Sequence, residues 1–392
     1  MTTTTLREFD IVVFGATGFT GKLVAEYLRG KPKQWAIAGR NRSKLEALGF
    51  DVPIIEVDAL DPDACTRVAR RTKVVCTTVG PYAKYGSELV AACANEGTHY
   101  CDLTGEVQWM RQMIDANHDR AVKTGARIVH ACGFDSIPSD LGTWATQQEF
   151  MQRYGRPARA VTAHYVDVSG GFSGGTVASM FTLAEQMSDP AVRRVLRNPY
   201  ALDPDHDGHH PKVRDHSVGW SKHLRRVTVP FIMAATNAPV VRRGHALAGH
   251  PWGHDFIYRE VMAPKSAATA AIVLAGLAGA AAALKRPWLR EQLRKRAPQP
   301  GEGPSLERRE HGHWKVRFLA EDGSDRVEYV VADPHGDPGY ASTSKMLGES
   351  ALCLAYDDGP RAGGVLTPSV ALNGALVSRL RAAGITFEPA ER

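Results

Sequence analysis

The chain has 392 residues, 43% of them apolar and 23% charged, and carries a formal net charge of +6. That length supports two domains with separate cores, and the composition is globular, which excludes wholesale disorder. The positive balance comes without an aromatic-interleaved basic groove or a reading motif, so nucleic acid is not an expected partner.

The first element is a predicted strand, Ile11-Val12-Val13-Phe14, which runs into Gly15-Ala16-Thr17-Gly18-Phe19-Thr20-Gly21. Three glycines at three-residue spacing, between a strand and a helix over about Gly21 to Leu28, suit the pyrophosphate of a dinucleotide. Gly15 permits the tight turn, Gly18 lets the backbone approach the ligand, and Gly21 lets the helix pack on the strand. The helix would aim its unsatisfied N–H groups at the phosphates. The spacing is G-x-x-G-x-x-G rather than G-x-G-x-x-G, and glycines also close ordinary turns, so the glycines alone do not decide the assignment. A second strand, Trp35–Ala38, ends in Gly39-Arg40-Asn41-Arg42 with Lys44 nearby, where a ribose-reading residue belongs. An acid there would favour NAD. Arg40, Asn41, Arg42 and Lys44 instead suit a 2′-phosphate held by charge-assisted hydrogen bonds, and point to NADP(H). The alternative, cations that merely coat a helix start, opposes the helix dipole.

Pro53–Asp58 reads as a third strand, with Asp58 at its end placed to meet the adenine, and residues 62–71 read as a helix. Strand Lys73–Val79 stops in Gly80-Pro81-Tyr82, then Tyr85-Gly86. Ligands of parallel sheets lie beyond the strands' carboxyl ends, so Val79, Gly80 and Pro81 are expected beside the nicotinamide. Helices near 87–96 and 107–123 flank a strand at His99–Leu103, and strand Arg127–Cys132 opens into Gly133-Phe134-Asp135-Ser136-Ile137-Pro138. Six β/α units inside 142 residues predict an α/β fold with a Rossmann-type doubly wound parallel sheet. Tyr82 and Tyr85 can donate a hydrogen bond to a reacting oxygen, or else pack and anchor backbone. Asp135 and Ser136 can orient nicotinamide or substrate, and these four form the candidate catalytic set. Asp102 and Glu106 read as turn caps, and neither a Tyr-x-x-x-Lys pair nor a serine triad is evident.

Farther on, Ala158–Val168 alternates as a strand, followed by a glycine-flanked loop at 170–176 that reads equally as a lid or as a plain connection, and a helix near 177–187. Asp203-Pro204-Asp205-His206-Asp207-Gly208 opens like a calcium loop, but the twelfth position is Arg214. A cation there repels calcium, and His206, His209 and His210 suit a polar surface loop, so no metal is expected. Residues 267–284 carry no charge and ten alanines, and residues 285–296 then bring six cations against one acid, with Trp288 among them. A helix over 267–284 would reach about 27 Å, marginal for a bilayer. It reads as a small-residue helix packed on the protein, as a peripheral contact with anionic lipid through 267–296, or as a weakly driven span. A proline/glycine connector comes next, at 298–304. His313–Leu319 and Arg326–Val331 form a predicted hairpin around Glu321-Asp322-Gly323-Ser324, Tyr340–Tyr356 a long helix, and 369–383 a last helix. The six cysteines, at 65, 76, 93, 101, 132 and 353, show no CxxC, which suggests a reducing cytoplasm. No apolar signal core precedes the first strand, so secretion is not expected, and the inner face of the plasma membrane stays open as a peripheral location.

Taken together, FGATGFTG (14–21), AGRNRSKLEAL (38–48), GPYAKYG (80–86), YCDLTGE (100–106), GFDSIPSDLG (133–142), GGVLTP (363–368) and LRAAGITFE (380–388) resemble the saccharopine dehydrogenase-like oxidoreductases. That family includes the bacterial trans-acting enoyl reductases. The likeness spans essentially the whole chain and is weakest between about 150 and 340. It implies an NADP-binding domain over 1–150, an inserted α+β substrate domain over 151–358, and a C-terminal segment, 359–392, that packs back on the first domain. It also implies reduction of a carbon–carbon double bond on a growing polyketide, in phthiocerol-type glycolipid assembly. The expectation is an NADPH-dependent oxidoreductase acting on an enoyl group of a lipid or polyketide substrate, with a carrier-bound form and a homodimer left open. Two alternatives stand beside it: an imine/amine oxidoreductase of the saccharopine-reductase kind, and a non-catalytic nucleotide-binding protein at a lipid surface.

Overall fold

The computed structural model describes residues 7–169, 185–213, 217–284, 286–296, 311–359 and 363–390, together with 181, 183, 215, 305, 307 and 309. The expected loop at 170–176, the start of the expected helix near 177–187, the connector at 298–304, Arg214 and Lys285 lie outside the described residues.

The first sheet is parallel throughout, in the order β13-β6-β5-β4-β1-β2-β3. Its strands are β1 (Phe9–Phe14), β2 (Trp35–Gly39), β3 (Ile54–Glu56), β4 (Thr72–Thr77), β5 (His99–Cys101), β6 (Arg127–Val129) and β13 (Gly364–Leu366). Such a sheet is covered on both faces, so its strands are near-continuous apolar runs, and β1 is buried at all six positions. The pleat then divides alternate residues between two cores: Ile11, Val13, Ile37 and Val74 on one face, Val12, Phe14, Ala36 and Val75 on the other. Helices α3 (Pro62–Arg71), α5 (Ser87–Glu96) and α6 (Val107–Thr124) supply buried side chains to the second of these cores. Helix α3 starts where Asp61 accepts from the Asp63 and Ala64 N–H groups with Pro62 at the first position, and ends on Arg70 and Arg71, which suit the dipole. The opposite core receives α1 (Phe19–Leu28) and the helix Thr343–Tyr356, which lies against α1 and across β1, β4 and β5.

The second sheet is mixed, in the order β14-β12-β11-β7-β10-β9-β8. It comprises β7 (Ala160–Ser169), β8 (Gly219–Ser221), β9 (Arg226–Pro230), β10 (Ile257–Met262), β11 (His313–Asp322), β12 (Asp325–Asp333) and β14 (Thr386–Pro389). Only β7 and β10 pair in parallel, and β11 and β12 form the expected hairpin. The expected helix at 340–356 begins at Thr343, after a π-helical turn over Pro338–Ser342. The last expected helix is two pieces, Pro368–Ala371 and Asn373–Ala382, broken where Asn373 takes a φ of 32°.

The chain interleaves the two layers. Helix α7 (Ile137–Tyr154) leaves the first sheet and packs on β11 and β12, while Thr343–Tyr356 leaves the second and packs on the first. Strand β13 then returns to β6, and β14 extends the second sheet beside β12. Asp140 on α7 accepts from the Ser369 N–H at 2.7 Å and its hydroxyl at 2.8 Å, which ties α7 to the returning segment. The packing of α7 depends on Gly142, where a Cβ would stand 2.4 Å from Cζ of the fully buried Phe318.

Replacing Gly142 by Ala should therefore lower stability by about 1–3 kcal/mol through overpacking, read as a lower urea midpoint. Gly276→Ala, where a Cβ meets nothing within 4 Å, should be neutral or slightly stabilising. Equal midpoints for both variants would contradict this account of the α7 interface.

Candidate active site

The turn after β1 is shaped by two glycines. Gly15 has a φ of +91°, and a Cβ there would lie 2.6 Å from the Val79 Cγ2. At Gly21 a Cβ would lie 2.1 Å from the Gly15 carbonyl oxygen, so only glycine lets α1 approach this closely. Gly18 is different, because its Cβ would meet nothing nearer than that carbonyl at 3.4 Å, which leaves its outer side open. Gly18 caps α1 with no side-chain acceptor on the first N–H groups and no acid in the first turn. These groups are available to an anion. Ala16 is buried in the core, Thr17 is exposed, and Thr20 is half-buried. Phe19 sets its ring edge-on to Tyr340 at 4.8 Å. The arrangement is a cradle that fits a pyrophosphate.

At the end of β2 the cations divide. Arg42 pairs with Glu46 at 3.0 Å along the short helix α2 (Arg42–Glu46), and the Asn41 side chain caps that helix by accepting from the Lys44 N–H at 2.9 Å. Arg40 and the Lys44 ammonium are exposed, with no carboxylate partner among the described residues. The Arg40 guanidinium lies 5.9 Å from the Tyr85 ring centre, and the Lys84 ammonium 5.0 Å from it. Asp58 is exposed and accepts from the Leu60 N–H at 3.0 Å, closing the turn after β3.

Beyond β4, Val79 and Pro81 are half-buried and Gly80 is exposed, with a cis Gly80–Pro81 bond. Tyr82 is 4% exposed. Its hydroxyl donates to the Thr77 carbonyl at 3.2 Å and accepts from the Leu103 N–H at 3.4 Å. Burial pushes the phenol well above its ordinary range. Of the two readings that the sequence left open for Tyr82, the contacts are those of an anchor. Glu106 accepts from the Tyr82 and Ala83 N–H groups, both at 2.9 Å. Asp102 accepts from the Ala131 and Thr104 N–H groups and from the Tyr100 hydroxyl, and meets the His130 Nδ1 at 2.7 Å. Both acids therefore serve the turns, as their positions suggested. Tyr85 remains half-buried beside Arg40.

After β6 the chain passes through Ala131 in the left-handed region, with a φ of 59°, into the turn that leads to α7. Asp135 is half-buried there, and the buried Ser136 hydroxyl donates to the Asn237 side-chain oxygen at 3.3 Å. This is the entrance to a polar network that the sequence did not signal. Asn237 donates to Glu260 at 3.1 Å, Tyr258 donates to the other Glu260 oxygen at 2.6 Å, and the Ser139 and Tyr165 hydroxyls are 2.8 Å apart. Burial pushes the Glu260 carboxyl up to about 7 against the opposing hydrogen bonds of Ser139, Tyr258 and Asn237. Burial, with Asp102 adding to it, likewise pushes Asp135 up to about 7. Aromatic side chains wall the region: Phe134 lies 5.0 Å from Trp314 and 6.1 Å from Tyr165, which stacks on Phe231 at 3.8 Å. The network can hold and release protons near neutral pH beside an apolar wall.

The sequence missed Ser139, Tyr165, Asn237, Tyr258 and Glu260. The usable signal was Tyr258-x-Glu260, an acid on the same strand face as a buried tyrosine. It went unread because β10 was not recognised as a strand. Among the described residues, no group of three His, Cys, Asp or Glu is placed to hold a metal. In the loop at 203–210, Asp203 accepts from the Asp205 N–H at 2.8 Å and the His210 ring stacks on Tyr200 at 4.1 Å.

Comparison with known proteins matches residues 11–129 to the saccharopine dehydrogenase NADP binding domain. A provisionally named trans-acting enoyl reductase of Mycobacterium tuberculosis is 41% identical, over 98% of both chains. A trans-acting enoyl reductase of Mycobacterium bovis is 38% identical, over 97% of both. Among solved structures, apo saccharopine dehydrogenase (L-Glu forming) from Saccharomyces cerevisiae shares the fold at a TM-score of 0.52 and 12% identity, covering 97% of this chain and 99% of that one. With a glycine cradle built for a pyridine dinucleotide and full-length relatives at this identity, the chain belongs to the saccharopine dehydrogenase-like family of NAD(P)-binding oxidoreductases, alongside the trans-acting enoyl reductases.

Proposed function

We propose that this enzyme uses NADPH to reduce the enoyl double bond of a lipid or polyketide thioester, presented on a carrier. The observation that carries this reading is the pair of carboxyls pushed up by burial beside aromatic walls, Asp135 beyond the carboxyl end of β6 and Glu260 within β10. In this reading the N–H groups around Gly18 hold the pyrophosphate and Arg40, with Tyr85 beneath it, meets the 2′-phosphate. Val79, Gly80 and Pro81 would flank the nicotinamide. When bound, the dinucleotide would supply a hydride for the β-carbon of the substrate. Electron density then moves to the thioester oxygen, where a hydrogen-bond donor lowers the barrier. Asp135, half-buried at the turn, holds the proton that the α-carbon takes up, and the Ser136–Asn237–Glu260 bonds behind it fix the position of the turn. Hydride and proton together saturate the bond.

The imine/amine alternative fits the network less well. An amino-acid substrate carries a carboxylate that needs a cation, whereas the side chains bonded in this network are neutral hydroxyls and an amide around one carboxyl. The non-catalytic alternative predicts dinucleotide binding without turnover. Purified protein should consume NADPH with an α,β-unsaturated acyl thioester, and not with an oxo-acid and amine mixture. Turnover with the second mixture alone would reverse the choice.

Arg40→Asp should weaken NADPH binding by roughly 10- to 100-fold, the worth of one or two charge-assisted hydrogen bonds, and change NADH binding far less. Equal loss for both coenzymes in a fluorescence titration would remove Arg40 from the 2′-phosphate site.

Glu260 also links stability to pH. Because its folded pKa stands above the unfolded value, the folded state favours the protonated form; that contribution is full below about pH 4.5 and is lost as pH rises to about 7. Glu260→Gln should flatten the decline in melting temperature across this window, the difference at neutral pH being on the order of 3 kcal/mol. It should also lower kcat and leave NADPH affinity intact. A parallel pH curve for the variant would show that Glu260 is not the buried acid responsible.

A further inference from the structure

We propose that the helix Ala267–Leu284, with the basic helix after it, is a docking surface for an anionic lipid bilayer. This rests on the surface of the second sheet and is independent of the reductase reading. Helices on a protein surface normally turn a polar face to water. This one carries no charge along its eighteen residues, packs on β9, and runs on into the helix Pro287–Arg296. Among its described side chains only Ala270 and Ala283 are buried, and Ile272 is 72% exposed. The helix therefore packs on its own protein along one side only and leaves the rest of its described surface open. No helix among the described residues is long and apolar enough to cross a membrane.

The charge nearby selects the occupant. Residues 285–296 hold six cations and one acid. Arg286, Arg290 and Lys295 have no carboxylate partner among the described residues, and Trp288 is 65% exposed between them. An apolar helix beside a cluster of cations and an exposed tryptophan matches the layers of an anionic bilayer surface: acyl boundary, interface and headgroup. The edge hairpin against which the helix packs adds Trp220, 60% exposed on β8, and the exposed Lys222 and Arg225 in its turn. A second copy of the chain is a poorer occupant, because its own matching surface offers the cations of 285–296 one acid and no anionic layer.

The test is co-sedimentation of the full chain with vesicles of phosphatidylcholine alone or in equal parts with phosphatidylglycerol. Binding should be roughly tenfold or more stronger to the anionic vesicles and should fall as salt is raised. The variant Ile272→Asp/Trp288→Ala should lose most of it, with melting temperature and NADPH binding unchanged as the control for folding. Arg290→Glu/Lys295→Glu should lose the anionic preference. The proposal is overturned by equal partition to both vesicles, by unaltered binding of the variants, or by a dimer in light scattering that Ile272→Asp dissociates without any lipid uptake by the parent.

Discussion

The close contact between Gly21 and the Gly15 carbonyl sets the geometry on which the rest depends. With the carbonyl oxygen 2.1 Å from where a Cβ would be, helix α1 can sit against the turn only because no side chain is there. That approach fixes where the free N–H groups of the first turn point, and therefore where an anion can bind. The Thr78 hydroxyl donates to the same carbonyl at 3.3 Å, so the end of β4 is tied to the end of β1. The phosphate cradle and the flank expected beside the nicotinamide are thus held by one small cluster of backbone and hydroxyl groups.

Interleaving of the chain brings the second half of the site to this cradle. Because α7 crosses to the second sheet while Thr343–Tyr356 crosses back, the β6–α7 turn is pinned between them, and the Phe134 N–H donates to the Thr343 hydroxyl at 3.1 Å. Burial raises several acids here: Asp135 and Glu260 are pushed up to about 7 and Asp140 to about 6. Asp140 is accounted for by its bonds to Ser369, which close the clasp. Glu260 is likewise held, by Asn237 and Tyr258, while Asp135 stands half-buried at the turn, and these two carry the chemical reading.

What could be read in the sequence was what is local. Parallel strands buried on both faces spell apolar runs, and a glycine required by a turn stands at a fixed offset from its strand, so β1 to β6 and the cradle were legible. The network was not, because Ser136, Ser139, Tyr165, Asn237, Tyr258 and Glu260 come from four distant segments and meet only through the second sheet. Strand β10, Ile257–Met262, mixes Arg259 and Glu260 with apolar residues, and the helix Ala234–Leu247 carries Pro239 in its interior, so neither gave a clean periodicity. Single residues show the same limit. Arg42 and Glu46 stand at the spacing of a helical ion pair, yet that pairing competes with a ligand role only once a helix exists there. Tyr82 could donate or anchor, and only its burial decides between them. The charge-free stretch at 267–284 was visible, whereas its exposure was a property of the fold.

The central claim is that the dinucleotide lies in the β1–α1 cradle with its reactive end toward the β6–α7 turn. A crystal structure with bound NADP+ tests it most directly. The account requires the pyrophosphate over Gly18, and the nicotinamide between Gly80–Pro81 and Asp135 with Tyr165 behind. A nicotinamide turned to the other end of the sheet, or a pyrophosphate held away from α1, would contradict it.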